Sequence, residues 1–178
     1  MRIASIVKDS IVDGPGLRLA IFTQGCKHHC PGCHNPDTHD FNGGYEESLE
    51  NIVKILKDDP LVNGITLTGG DPFEQPVECV KLIMKVKNLN PKYTVWTYTG
   101  YTYEQIKESK NYLWELLFQY SDVVVDGPFI ESLKSYDLRF RGSSNQRLIA
   151  TKKTLSRDEI VLWTPDEEIL DKFKVPES

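Results

Sequence analysis

Short apolar segments alternate with longer amphipathic segments along this chain, and this alternation constrains the fold more than any other feature of the sequence. The segments that predict strands are Arg18–Thr23, Gly64–Thr68, Tyr93–Tyr98, Asp122–Asp126 and Glu159–Trp163, with a possible extra strand at Ile3–Val7. Apolar residues recur at helical spacing in three segments, Glu46–Asp59, Pro76–Leu89 and Tyr103–Tyr120. Strands and helices in alternation predict right-handed crossovers and a mostly parallel sheet, and therefore an α/β fold.

The length of the chain limits how such a sheet can close. A closed barrel of eight strand–helix units typically needs about 250 residues, and this chain has 178. We therefore expect a single domain, residues 1–178, that forms a partial, open β/α barrel. Residues 151–178 are expected to add a C-terminal strand and an acidic tail. In parallel sheets, functional groups gather at the carboxyl ends of the strands, so the loops that follow them are the candidate site.

Composition and charge exclude several classes of function. The formal net charge of −5 argues against non-specific binding to nucleic acid. No apolar run approaches the length of a membrane span, so we expect no membrane partner. The first residues lack the apolar segment and small-residue cleavage site of an export signal, and we expect a cytoplasmic location.

Positive charge is concentrated in one segment of the sequence. From Lys134 to Arg157 the chain carries seven basic residues and one acid, Asp137. Such a segment can be an ordinary solvated surface, or it can be a docking surface for an acidic partner. Arg139 and Arg141 are the residues whose reversal to glutamate tests the second interpretation.

Three of the four cysteines lie within eight residues, in a loop that directly follows the first strong strand. The spacing from Cys26 through Cys30 to Cys33 is C-x3-C-x2-C, and nearby glycines and prolines break regular structure. In a reducing compartment such a cluster indicates metal or redox chemistry rather than disulfides. Three thiolates can hold three irons of a 4Fe–4S cluster and leave the fourth iron free to bind a substrate.

A structural zinc site is the main alternative interpretation of this loop. The three thiols, with His28, His29 or His34, could form a Cys3His site. Zinc usually takes its ligands from two pairs separated by a longer spacer, whereas all these residues crowd one loop. The fourth cysteine, Cys79, lies on the apolar stripe of a predicted helix and is expected to be a core residue rather than a ligand.

A second candidate element is the double-glycine turn after the next strand. Thr68, Gly69, Gly70 and Asp71 end that strand, and glycines there allow backbone groups to approach a ligand closely. A ligand with both amino and carboxylate groups could bind such an edge. At the following strand ends, Thr97 or Thr99 could contact a nucleoside, and Asp126 is expected at the same rim.

Taken together, these motifs resemble those of the radical SAM superfamily and, within it, the family that activates anaerobic ribonucleoside-triphosphate reductase. The matching segments occur in order over most of the chain: Asp13–Arg18, Cys26–Pro36, Thr68–Pro72, Val125–Phe129 and Arg141–Arg147. The cysteine loop is typical of the superfamily, and the last two segments of this branch. The glycine motif of the superfamily often ends in Glu, and Asp71 is usual for this branch.

The resemblance implies a set of ligand contacts. It implies that Cys26, Cys30 and Cys33 bind a 4Fe–4S cluster, whose free iron binds S-adenosylmethionine (SAM). Gly69, Gly70 and Asp71 would hold the amino group of SAM. The backbone of Gly32, Cys33 and His34 would line the adenine side. Thr68, Thr97 and Asp126 are further candidate contacts to this cofactor.

The resemblance also implies the reaction and its partners. A flavodoxin-like reductant would supply an electron, and SAM would be cleaved to methionine and a 5′-deoxyadenosyl radical. This radical would take a hydrogen atom from a glycine of the large subunit of anaerobic ribonucleoside-triphosphate reductase. Two alternatives remain open: a radical SAM enzyme of another kind, activating pyruvate formate-lyase or acting on a deazapurine precursor, and a non-catalytic zinc module.

Overall fold

The computed structural model describes residues 1–165. Its strands are β1 (Arg2–Ser10), β2 (Arg18–Thr23), β3 (Tyr45–Glu46), β4 (Gly64–Gly69), β5 (Thr94–Tyr98), β6 (Val123–Asp126) and β7 (Arg147–Ala150). Its helices are α1 (Leu49–Lys57), α2 (Pro76–Leu89), α3 (Tyr103–Glu108), α4 (Tyr112–Tyr120) and α5 (Thr151–Arg157). Within these residues, no helix is both long enough and apolar enough to cross a bilayer.

The strands form one mixed sheet in the order β3-β1-β2-β4-β5-β6-β7. Its four central strands, β2, β4, β5 and β6, run parallel. Strands β1 and β3 at one edge and β7 at the other pair in antiparallel fashion. The predicted α/β class is therefore confirmed, and curvature of the sheet into a partial barrel stays a prediction.

Side-chain alternation along the central strands creates two apolar clusters on opposite faces of the sheet. Val95 and Val124 belong to the larger cluster, which includes the apolar faces of α1, α2 and α4. Trp96 and its neighbours on β6 belong to a smaller cluster that contains Phe140. Cys79 is fully buried in the larger cluster, which confirms the prediction that it is a core residue.

The predicted helix Tyr103–Tyr120 is interrupted, and this part of the prediction was wrong. Lys110 has a φ of +52°, a conformation that cannot continue a right-handed helix. The side chain of Asn111 then caps α4 by accepting hydrogen bonds from the backbone N–H groups of Leu113 and Trp114. A capping box of Thr102 and Gln105 starts α3.

The predicted strand Glu159–Trp163 is reduced to a single antiparallel bridge, between Leu162 and Ile149 of β7. Beside this bridge, the N–H of Trp163 donates to the carbonyl of Leu148 (2.7 Å), and the N–H of Ala150 donates to the carbonyl of Val161 (2.9 Å). The edge strand is instead β7, only four residues long, and it continues directly into α5. The indole of Trp163 packs against Trp96, with ring centroids 4.9 Å apart, while its backbone pairs with β7. Of the predicted C-terminal strand and acidic tail, residues 151–178, the part from 166 to 178 lies outside the described residues.

Arg18 fixes the turn that precedes β2. Its guanidinium is fully buried and donates to the hydroxyls of Thr66 and Thr94 and to the backbone carbonyls of Pro15, Ile65 and Thr94. A Cβ on Gly14 would lie 2.8 Å from Cδ of Arg18, so the turn closes directly over this side chain. Arg18 therefore connects the beginnings of β4 and β5 to the segment that enters β2.

Candidate metal centre

The candidate residues lie at one edge of the sheet, where the parallel strands end. The cysteine loop follows β2, the double-glycine turn ends β4, Thr99 follows β5, and Asp126 ends β6. Pairing of β2 with β4 runs from Arg18 opposite Gly64 to Thr23 opposite Gly69, which places the first two loops side by side. The fold thus brings together segments that are about 100 residues apart, from Cys26 to Asp126.

The cysteine loop is anchored at both ends and turns sharply between them. At its start, the N–H of Gly25 donates to the carbonyl of Thr38 (2.7 Å), and that of Cys26 to the carbonyl of His39 (3.2 Å). Further along, the N–H of Cys33 donates to the carbonyl of Cys30 (3.1 Å). Gly25, His29 and Gly32 all have positive φ values, which curl the backbone around the three sulfurs.

The three thiols are free but differ in how deeply they are buried. Cys26 is 8% exposed, and burial raises the pKa of its thiol to about 11. Cys30 and Cys33 are partly exposed, and the N–H of Asn35 donates to Sγ of Cys33 (3.4 Å). A bound cation would offset the cost of a thiolate at Cys26, so the burial of this side chain suits a metal ligand.

The chemistry of the donor set fits an iron–sulfur cluster, because the three candidate ligands are soft thiols on one loop. A zinc ion requires four ligands that converge on one point, whereas each cysteine of an iron–sulfur cluster binds its own iron. Three separate soft thiols on one loop therefore fit a 4Fe–4S cluster.

The double-glycine turn packs directly on the start of the cysteine loop. A Cβ on Gly70 would lie 2.4 Å from the carbonyl oxygen of Gly25, and one on Gly69, where φ is +92°, would lie 2.7 Å from Cα of Phe22. The N–H of Gly70 donates to the carbonyl of Thr23 (2.7 Å), and that of Asp71 to the carbonyl of Gly25 (2.8 Å). Only glycine allows so close a backbone approach at both positions.

Asp71 is buried, and its carboxylate is directed into the protein. It is 1% exposed. Its Oδ2 lies 2.7 Å from Nε2 of His28 and accepts from the hydroxyl of Thr99 (2.9 Å) and the N–H of Gly100 (3.0 Å). Its Oδ1 accepts from the N–H of Phe73 (2.9 Å). The carboxylate therefore joins the cysteine loop, the glycine turn and the end of β5.

The other candidate side chains on the strands differ in their orientation. Thr97 is fully buried, and its hydroxyl lies 2.7 Å from that of Ser121 at the end of α4, which is the helix side of the sheet. By alternation, Thr68 faces the opposite side, as does Thr66. Asp126 is 1% exposed and accepts hydrogen bonds from the guanidinium of Arg147 and the N–H of Tyr103. The side chains of Thr97 and Asp126 are thus already engaged within the protein.

Arg147 connects three elements near this edge. Its guanidinium also forms two hydrogen bonds with the carboxylate of Glu104, at 3.0 and 2.7 Å. Hydrogen bonds with Asp126 and then Glu104 raise the pKa of Arg147, and those from Arg147 lower the pKa of Glu104. These ion pairs hold β6, β7 and the start of α3 together.

The segment after β6 contributes residues that the sequence analysis did not assign. A Cβ on Gly32 would lie 2.9 Å from Cδ of Glu131, and the ring of Phe129 lies 5.1 Å from that of His34. The side-chain amide of Asn145 donates to the carbonyl of Pro128 (2.8 Å), while its Oδ1 is buried without a partner in residues 1–165. Phe129 and Asn145 belong to the quoted motifs, but only the fold shows that this segment contacts the cysteine loop at Gly32 and His34.

The basic segment proves to be largely engaged in internal contacts. Arg141 donates to the carbonyls of Ser144 and Gln146, and Lys152 pairs with Asp122. Lys134 and Arg139 are exposed, and their charged groups lie over the rings of Tyr136 and Phe140, respectively. Of the two arginines proposed for charge reversal, only Arg139 tests docking without also removing the hydrogen bonds that Arg141 makes to backbone carbonyls.

Comparison with known proteins gives consistent matches. A family model described as a 4Fe-4S single cluster domain matches residues 12–149. The chain is similar to the anaerobic ribonucleoside-triphosphate reductase-activating protein of Vibrio cholerae, at 36% identity over 76% of this chain and 89% of that protein. The protein of the same name from Escherichia coli K12 is 36% identical, covering 76% of this chain and 90% of its own length. That of phage T4 is 35% identical, with 77% and 86% covered.

Proposed function

Since this chain belongs to the family of anaerobic ribonucleoside-triphosphate reductase-activating proteins and carries a 4Fe-4S cluster domain, we propose that it is a radical SAM activase that generates a glycyl radical on that reductase. The observation that carries the proposal is the placement of three free thiols beside the double-glycine turn, at the carboxyl ends of the parallel strands. The substrate glycine would lie on the large subunit of the reductase.

Cys26, Cys30 and Cys33 are the proposed cluster ligands. When bound, the cluster would deliver an electron to SAM, which breaks into methionine and a 5′-deoxyadenosyl radical that takes the glycine hydrogen. Three thiolates from this loop would bind three irons and would leave the fourth iron without a protein ligand. The segment after β6 contacts this loop through Phe129 and Glu131, and docking of the reductase would complete the exclusion of water.

The proposed SAM site is built mainly from backbone groups. Gly69 and Gly70, with Thr68 on the same edge, would bind the amino group, and Gly32, Cys33 and His34 would line the adenine side. The buried Oδ1 of Asn145 is an acceptor that still lacks a donor within residues 1–165, as expected beside a ligand site. Because the side chains of Thr97 and Asp126 are engaged elsewhere, we assign them a supporting role rather than direct contact.

Two further parts of the proposal concern the surroundings of the site. We propose a flavodoxin-like reductant as the electron donor, because the partly exposed Cys30 and Cys33 would leave the cluster accessible from one side.

We also propose that the seven-stranded sheet curves into a partial barrel, with the smaller apolar cluster on its inner face.

Anaerobic reconstitution with iron and sulfide tests the proposed function. The expected product is a brown protein with a cluster EPR signal that changes when SAM is added, and it cleaves SAM under dithionite. Mixed with the large reductase subunit and SAM, it should produce a glycyl-radical EPR doublet. A colourless protein with one zinc would contradict the cluster. SAM cleavage without a glycyl radical on the reductase would instead indicate a radical SAM enzyme with another substrate.

We propose that Lys134 and Arg139 form part of the surface that docks the reductase. Reversing both to glutamate is expected to weaken binding of the large subunit about tenfold at low salt, since exposed charges mainly steer association. SAM cleavage without the reductase should be unchanged. Titration of the reductase at two salt concentrations measures the effect, with the double reversal of Lys57 and Lys92, which are also exposed, as the matched control. Equal affinity of both double variants would contradict this docking surface.

A further inference from the structure

The carboxylate of Asp71 is buried and is engaged mainly within the protein. Its Oδ2 contacts the ring of His28, the hydroxyl of Thr99 and the N–H of Gly100, and its Oδ1 accepts from the N–H of Phe73. The side chain is 1% exposed. Asp71 can therefore influence this site through the groups that it holds.

The most informative of these groups is His28, which lies between two proposed cluster ligands. It is two residues from both Cys26 and Cys30. In the tautomer that carries hydrogen on Nε2, His28 donates to Oδ2 of Asp71, and the 2.7 Å contact fixes the direction of the ring. The orientation of this ring in turn fixes the backbone that connects the first two cysteines.

The ring of His28 is also held by packing. A Cβ on Gly100 would lie 2.5 Å from Cδ2 of His28, so the ring occupies the space that any larger residue would need. The edge of Tyr101 contacts it with centroids 4.4 Å apart, and the hydroxyl of Tyr101 donates to Glu74 (2.6 Å). Glu74 also pairs with Lys27, the residue before His28, at 3.5 Å. The ring contact of His28 and the ion pair of Lys27 with Glu74 thus both connect the cysteine loop to Tyr101, just after β5.

We infer that His28 and Asp71 are positioning residues, whose hydrogen bond makes the cysteine loop and the double-glycine turn one rigid unit. This inference rests on the proposed function. It deepens that proposal, because it assigns the distance between the cluster and the bound amino group of SAM to a side-chain contact within the protein. The backbone contacts of Gly70 with Thr23 and of Asp71 with Gly25 fix the same two segments from the other side.

The physical basis is that groups which orient metal ligands act without touching the metal. Loss of such a partner typically costs tenfold to a hundredfold in metal affinity or activity, roughly. A cysteine loop released from Asp71 could still bind a cluster through three thiolates, but its free iron would no longer lie at a fixed distance from Gly69 and Gly70. Weaker SAM binding is therefore expected before loss of the cluster.

The test compares two substitutions of His28 with a neighbouring control in the full-length, reconstituted protein. His28→Phe keeps a ring against Gly100 and Tyr101 but removes the donor to Asp71, whereas His28→Gln keeps a donor. His29→Asn is the control: His29 lies in the same loop, contacts His39 rather than Asp71, and has a positive φ that Asn tolerates. The measurements are iron per chain, the dissociation constant of SAM, and the EPR change that SAM induces in the reduced cluster.

We expect His28→Phe to raise the SAM dissociation constant about tenfold or more and to diminish the EPR change, with iron content near that of the unsubstituted protein. His28→Gln should lie within about threefold of the unsubstituted protein, and His29→Asn should match it. If His28→Phe does not fold, His28→Leu against His28→Gln provides the same contrast. Normal SAM binding and EPR response in a donor-free variant would overturn the inference, while the proposed function would stand on the unsubstituted protein.

Discussion

Replacing Cys26, Cys30 or Cys33 with serine is expected to abolish SAM cleavage in each case, a loss of at least a thousandfold. Each thiolate would hold a different iron, so no remaining cysteine of the loop can substitute for the missing one. The hydroxyl of serine is a much poorer ligand for iron than a thiolate. Iron and sulfide analysis after anaerobic reconstitution, followed by quantification of methionine and 5′-deoxyadenosine, measures the effect.

Cys79→Ser is the matched control for these variants. Cys79 is fully buried in the core, and its sulfur lies 3.5 Å from the carbonyl of Pro72, away from the cysteine loop. Burial raises the pKa of its thiol, as expected for an inert core cysteine. The serine variant should lose some stability and keep its iron. Iron loss in Cys79→Ser, or an active variant at Cys26, Cys30 or Cys33, would refute the proposed ligand set.

Arg18→Met is expected to lower the free energy of unfolding by about 3 kcal/mol or more. The substitution removes a charged donor from two hydroxyls and three backbone carbonyls that lie at the junction of β2, β4 and β5. Methionine fills similar space but leaves these buried acceptors without their donor. The turn that contains Gly14 also loses the side chain against which it packs.

Denaturant unfolding under reducing conditions measures this effect. Arg157→Met makes the same chemical change at an exposed position in the last turn of α5, and it should stay within about 0.5 kcal/mol of the unsubstituted protein. Equal midpoints for the two variants would show that the hydrogen bonds of Arg18 contribute little to stability. Because Arg18 lies at the amino end of β2, the iron content of folded protein should not change.

The central part of the fold could be predicted from the sequence because its strands are buried on both faces. β2, β4, β5 and β6 therefore appear as short segments rich in apolar and β-branched residues between amphipathic helices. The C-terminal region could not be predicted in this way. β7 has four residues, too few for a visible period, and it is stabilised by pairing with β6 and by the ion pair of Arg147 with Asp126.

The candidate site was only partly predictable for a related reason. Motif spacing placed the cysteines and glycines on loops at the strand ends, and the fold confirms those locations. Motif spacing could not show that the carboxylate of Asp71 is engaged by donors within the protein, since these partners lie up to 43 residues away in the sequence. Nor could it show that Thr97 faces the helices, because this depends on the register of β5 against its neighbours.

The three cysteines of the loop differ in burial, and this difference determines which of them is oxidised first when the apoprotein is exposed to air. Oxidation of a thiol to sulfenic acid and beyond follows its accessibility and its thiolate fraction. Cys30 and Cys33 are partly exposed, whereas Cys26 is buried and its pKa is raised to about 11 by that burial. Dioxygen or peroxide would thus damage the outer two sulfurs first, and aerobic purification would yield chains with one intact ligand. Thiol reduction must therefore precede the addition of iron.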